Sequence, residues 1–299
     1  MIEIEGTPLP LATSPKILGV LLDRSLAFHK HSSYVADRVN KRNNILKALA
    51  GTSWGQQKET LLMTYKAIGR SIVNYAAPVW SINTSSTGYR GIQTAQNSAL
   101  RIITGSHLMS CVDHLHDEAS ILKVADHSEL LAAQYLVRCL EPDNVCHGIT
   151  TREKPPRMMK HTLHTKHHPT VEPLLVANDR KASLQAVHTA YVSKSLAKQK
   201  KSKLLGTRPP RINTKDEVTL SRPQRTTLSQ LRSGYCRQLG SYQSRINCRK
   251  KDECPDCGGS PEDVHHLFSC PSHTTTTAPI DLWTHPSATI RELSFLEDR

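Results

Sequence analysis

The most constraining stretch of the chain is Cys254–Cys270, CPDCGGSPEDVHHLFSC. Cys254 and Cys257 form a C-x2-C pair, and a histidine and Cys270 follow within a short loop. Two cysteines at this spacing form a knuckle whose sulfurs face one ion, and a histidine with a third cysteine completes four soft or borderline ligands suited to tetrahedral Zn2+. This spacing favours zinc over free or disulfide-bonded thiols. Gly258 and Gly259 stand where the chain must turn tightly away from the metal without a Cβ clash. Two histidines fit the spacing: His266 gives C-x2-C-x8-H-x3-C, and His265 gives C-x2-C-x7-H-x4-C. If Leu267 and Phe268 form a short apolar turn, the neighbouring rings diverge and only one ligates. Cys248 and His273 are outlying alternatives. A closed site keeps no position for water, so the expected Zn2+ is structural and supports folding and binding rather than hydrolysis.

The 299 residues are enough for one large or two ordinary domains, and the formal net charge is +13. Such an excess acts on polyanionic partners, not on fold. Nucleic acid is the first expectation and an anionic membrane surface the second. The longest apolar run, Ile17–Leu22, is interrupted by Gly19 and falls far short of the ~20 residues a membrane span needs. No secretory signal is expected at Met1. The eight cysteines cluster toward the C-terminus in metal spacing rather than as a set of staples, which suits a reducing compartment, nuclear or cytoplasmic.

Along the chain, residues 1–28 read as β structure: Ile2 and Ile4 alternate with Glu3 and Glu5, Gly6 and Pro8 break the run, and Lys16–Asp23 is an apolar run of strand length. Residues 29–140 turn helical. Val35, Val39, Leu46 and Leu49 share one face; Leu61, Tyr65, Ile68, Ile72 and Tyr75 form a second stripe. Ile92, Ala95, Ala99 and Ile102 form a third, with Thr87 as its cap and Gly105 past its end. Asp126 and Glu129 start a fourth helix carrying Leu130, Leu131, Tyr135 and Val137. All these stripes are expected to be core. Residues 141–180 lose periodicity among Pro142, Pro155, Pro156, Pro169 and Pro173, with His161, His164, His167 and His168 between them, and read as a Pro- and His-rich linker. Residues 181–247 read as a basic helical region and 248–299 as the knuckle and tail. The expected fold is therefore mainly α, with a short N-terminal β-hairpin and a small C-terminal zinc-knuckle module.

Phosphate contacts are expected from Arg38, Lys41 and Arg42, and from Lys194, Lys198, Lys200, Lys201 and Lys203, a run with no acidic residue. Arg249, Lys250 and Lys251 sit just ahead of the knuckle, and Phe268 either stacks on a base or packs on the metal loop. Catalytic machinery is not legible. The sequence has no Asp-Asp pair, and Asp117-Glu118, Asp216-Glu217 and Glu262-Asp263 assemble no two-metal carboxylate set. Nor does it contain G-x-x-x-x-G-K-[ST], G-x-S-x-G or H-E-x-x-H.

With those residues in place, the chain resembles the C-terminal part of reverse transcriptases, the RNA-directed DNA polymerases of non-LTR retrotransposons, especially the jockey-like group. Lys16–Asp23, with Leu26, Phe28 and His31, is similar to the segment just after the palm, where such enzymes have a primer-gripping hairpin. Tyr75–Trp80 and Gln93–Gly105 are similar to the helical thumb and connection. Leu228–Tyr235, then Tyr242, resembles the stretch before the zinc knuckle of these transposable-element proteins; His266–Pro271, then Leu282 and Trp283, resembles its end. The resemblance favours His266 as the ligand. It implies a fragment that grips RNA and DNA as template–primer, has no membrane or small-molecule partner, and pairs with an upstream polymerase region. That region would carry the catalytic aspartates and their Mg2+, leaving this chain with no catalytic residue and inactive alone. A zinc-stabilised protein-interaction module that does not bind nucleic acid is the alternative.

Overall fold

The structure is a computed structural model describing residues 12–51, 53–151 and 162–298, together with the strand pairs Glu3–Ile4 and Thr7–Pro8. Ile2, Glu5, Gly6, Pro155, Pro156 and His161 lie outside the described residues. The described chain is mainly helical, with short antiparallel β pairs at its start.

Strand β1 (Glu3–Ile4) pairs with β2 (Thr7–Pro8), and β3 (Lys16–Ile17) with β4 (Val20–Leu21). Lys16–Asp23 is therefore not one strand but a hairpin of its own. Leu18 (φ 43°) and Gly19 (φ 82°) are both left-handed, the backbone that a two-residue hairpin turn demands. A Cβ on Gly19 would come within 3.2 Å of the Tyr75 ring, whose hydroxyl donates to Leu18 O at 2.8 Å.

The helices used below are α1 (His29–Leu49), α2 (Lys58–Tyr65), α3 (Ser86–Thr104), α4 (Val112–Ala119), α5 (Val124–Cys139), α6 (Leu163–Val171), α7 (Arg180–Ala197), α8 (Arg222–Arg232), α9 (Gly240–Ile246), α10 (Val264–Leu267) and α11 (Pro286–Glu292). The chain divides into two compact units, each built from separate stretches, with boundaries that fall within α1 and α3.

The first unit comprises residues 1–41, 69–96 and 122–197. In it α5 packs against α6, α7 and the helical turn Ala77–Trp80. Leu130, Ala133, Leu136, Val137, Val171, Val187 and Tyr191 form its core. Tyr135, expected inside, is exposed, and Leu136 takes the core position. Within the stretch read as linker, α6 forms on a capping box between Thr162 and Thr165, and it buries Val171 and His167.

The second unit comprises residues 42–68, 97–121 and 198–299. Its core joins Leu228 and Leu231 of α8 to Leu239, to Val264 and Leu267 of α10, and to Leu282, Trp283, Ile290, Leu293 and Leu296. Gly105 (φ 73°) ends α3 where a Cβ would strike Thr226 of α8 at 2.6 Å, so the close approach depends on glycine. The third stripe is met at Ile92, Ala95 and Ala99, while Ile103 rather than Ile102 is buried. Ser85, not Thr87, accepts the first-turn N–H, that of Gly88.

The second stripe shifts. After α2 the chain makes a π turn at Lys66–Arg70. A π turn holds one residue more than an α turn, so the inward face advances by one position. The buried set becomes Leu61, Tyr65, Gly69, Val73 and Ala77; Ile68 and Ile72 are half-buried, and Tyr75 is 57% exposed.

A candidate metal centre and its surroundings

The loop after α9 carries the cysteines. Gly258 N–H donates to Cys254 O and Cys254 N–H to Gly259 O, both at 2.8 Å, closing the turn that brings Cys254 and Cys257 together. Gly258 has φ 72°, a backbone that a side chain would strain. A Cβ on Gly259 would stand 3.0 Å from His266 Cε1 and 3.2 Å from Cys257 Sγ, so the ring and the sulfur meet over a glycine. Asp263 caps α10 by accepting the His266 N–H at 2.9 Å, which fixes the helix carrying that histidine.

Four ligand atoms converge: the sulfurs of Cys254, Cys257 and Cys270 and a nitrogen of His266 all lie within 4.8 Å of one another. Cys254 Sγ stands 3.9 Å from Cys270 Sγ, and Cys257 Sγ stands 3.3 Å from His266 Nε2. Tetrahedral zinc with Zn–S of about 2.3 Å and Zn–N of about 2.0 Å sets S···S edges of about 3.8 Å and S···N edges of about 3.5 Å. The donor set and these spacings therefore fit the ion. The Gly259 N–H also donates to Cys257 Sγ at 3.3 Å, which fixes the position of that sulfur. Burial raises the Cys254 thiol, but the Cys257 backbone N–H and the His266 ring outweigh it and hold the thiol below its ordinary value.

His265 is exposed and outside the cluster. His273 Nε2 instead contacts Asp256 Oδ2 at 2.9 Å, and Cys248 is exposed elsewhere. Phe268 packs against the core of the second unit, as Val264 and Leu267 do. The knuckle is thus welded to that core through α10.

The basic residues are dispersed. Arg38 lies over the Tyr34 ring, Lys41 pairs with Asp37 at 2.8 Å, and Arg42 is exposed. Lys194 is on α7, over Tyr191, but that helix ends at Ala197. Lys198, Lys200, Lys201 and Lys203 follow in loop and turn, exposed, so the expected run is not one helical stripe. Lys200 is held there by its backbone N–H, which donates to Asp113 Oδ2 at 3.1 Å. Arg249 is exposed, Lys250 donates to Gln243 Oε1 at 2.6 Å, and Lys251 pairs with Glu253.

Sequence reasoning missed a buried ionic network in the second unit. Two of the acidic pairs with no evident partner each contribute one buried carboxylate to it, Glu118 and Glu217. Arg232 Nη1 reaches Glu118 Oε1 and Glu217 Oε2 at 2.9 Å each, and Lys58 Nζ bonds both carboxylates, Glu118 at 3.0 Å. Arg225 joins Glu217 at 3.2 Å to Glu59. Three cations and three carboxylates balance. Burial alone would raise the Glu118 carboxyl, but Arg232 and Lys58 hold it far below the ordinary carboxylate range. Their positions on separate helices carry no local signal; the one hint is that α8 carries three arginines and no acidic residue beside Leu228 and Leu231. With every carboxylate facing a cation, the cluster is built to hold helices together rather than to bind metal.

Compared with known proteins, the chain is similar to two from Drosophila melanogaster. It is 28% identical over 158 residues to a probable RNA-directed DNA polymerase from transposon X-element, a match covering 53% of this chain and 17% of that protein. It is 32% identical over 109 residues to a probable RNA-directed DNA polymerase from transposon BS, covering 34% of this chain and 11% of that protein. The matches thus span under a fifth of either relative's length. No protein-family model and no solved structure matches the chain.

Proposed function

We propose, for a chain that is a relative of transposon-encoded RNA-directed DNA polymerases, that it is the part of a non-LTR, jockey-like reverse transcriptase that grips nucleic acid. The observation that carries this is the similarity to the two polymerases, over 53% of the chain for one and 34% for the other. The net charge of +13 and the exposed lysines and arginines support it, since backbone neutralisation gives affinity without sequence reading. In this reading the N-terminal hairpins serve as a primer grip and the helices as thumb and connection. Cys254, Cys257, His266 and Cys270 hold a structural Zn2+ that keeps the C-terminal module folded. Nucleotide transfer with Mg2+ would be the work of an acidic palm, not of residues in this chain.

Titrating the purified, zinc-loaded chain with a short single-stranded RNA at increasing salt tests this. The association constant should fall linearly on a log–log plot, with a slope of about −0.7 for each phosphate neutralised. Affinity independent of salt, or no RNA binding, contradicts the grip.

A further inference from the structure

Beside the knuckle lies an open cleft of about 190 Å3, lined among others by Lys203, Tyr235, Ser241, Ser244, Arg245 and His265. Two cations gather there on one tyrosine. Lys203 Nζ stands 4.1 Å from the Tyr235 ring centroid and donates to its hydroxyl at 2.9 Å; the Arg245 guanidinium stands 5.4 Å from the same centroid. Among the described residues no carboxylate forms an ion pair with either. The two carboxylates in the wall are engaged elsewhere: Asp252 accepts the Glu262 N–H at 3.0 Å, and Asp263 accepts the His266 N–H. The hydrogen bond from Lys203, with the nearby charge of Arg245, pulls the Tyr235 phenol below its ordinary value, a sign of concentrated positive potential. An aromatic ring that holds two cations in place, with serine hydroxyls beside it, matches what an anionic oxygen cluster requires.

We propose that this cleft seats a backbone phosphate of a single nucleic-acid strand, with Lys203 and Arg245 contacting its oxygens and Tyr235 positioning both cations. The proposal rests on the nucleic-acid reading above and places one contact of that grip at the knuckle. It adds Tyr235 and Arg245, which charge patterning alone did not single out.

Three variants of the zinc-loaded chain test it against a labelled short RNA across a salt series. Lys203→Gln combined with Arg245→Gln should reduce the magnitude of the salt slope by about 0.7, one phosphate, with zinc content unchanged. Tyr235→Ala leaves net charge unaltered, so diffuse attraction predicts no change; loss of the positioned cations predicts roughly two- to fivefold weaker binding. Lys181→Gln combined with Lys215→Gln, two exposed lysines outside the cleft lining, removes the same two charges and serves as the control. Wild-type slope and affinity in both cleft variants overturn the cleft while the grip stands. Loss of binding to phosphatidylserine vesicles with RNA binding intact also overturns it, in favour of a lipid headgroup. Failure of the wild type to bind RNA sinks the nucleic-acid reading and this inference with it. Retained zinc in each variant excludes misfolding as the cause.

Discussion

Gly259 shows how much of the metal site turns on single atoms. Its missing Cβ leaves room for His266 Cε1 and Cys257 Sγ, which a methyl group would meet at 3.0 and 3.2 Å. Gly259→Ala should therefore weaken zinc retention against a competing chelator while leaving all four ligands present. Cys257→Ser should go further, dropping bound zinc by metal analysis and loosening α10, because binding and local folding are coupled. Equal zinc stoichiometry in Cys257→Ser and wild type would rule the cysteine out as a ligand. The cysteine spacing and the glycine pair were legible as a cluster of four ligand atoms that could hold a metal. The choice between His265 and His266 was not decided by spacing alone. It depends on the direction each ring leaves α10, and the Asp263 cap sets that direction.

At the scale of elements, α8 carries Arg225 and Arg232 inward beside Leu228 and Leu231. Its fit depends on Glu118 from α4, on Lys58 from α2 and on Glu217. Replacing Glu118 by glutamine should cost about 3–5 kcal/mol in a urea melt, since it leaves buried cations short of a partner. Exchanging Glu118 and Arg232 together for apolar residues of similar volume should cost less than the single change. The network also sets an acid limit. The folded Glu118 carboxyl titrates below the 4.5 of an ordinary glutamate, so its contribution is fully present above that value. It is lost as pH falls through the lower folded value, and an acid melt of Glu118→Gln should be shallower there than that of wild type. The second stripe teaches the complementary lesson. Its period was readable, but the π turn at Lys66–Arg70 moved the buried face by one residue, because no local preference announces a π turn.

For the whole molecule, two units interleave along the sequence, and the knuckle belongs to the core of one of them through Val264, Leu267 and Phe268. Removing zinc with a chelator should therefore raise amide exchange in α8, α10 and α11 of the second unit. It should leave α5 and α7 of the first protected, as read by hydrogen-exchange mass spectrometry. Uniform loss of protection, or none, contradicts that assignment. Among the described residues, no helix is long and apolar enough to cross a membrane.

What the sequence by itself determined is the class of this protein. It shows amphipathic helices by their period, a hairpin start by its alternation, a thiol and imidazole set by its spacing, and an excess of positive charge by composition. These are local signals, carried by residues near one another in the chain. The tertiary structure alone decided the rest: the pairing of Glu118 with Arg232 across 114 positions, and the gathering of Lys203 and Arg245 on Tyr235. Such contacts join residues distant in sequence, and burial and packing select their partners, not any pattern along the chain.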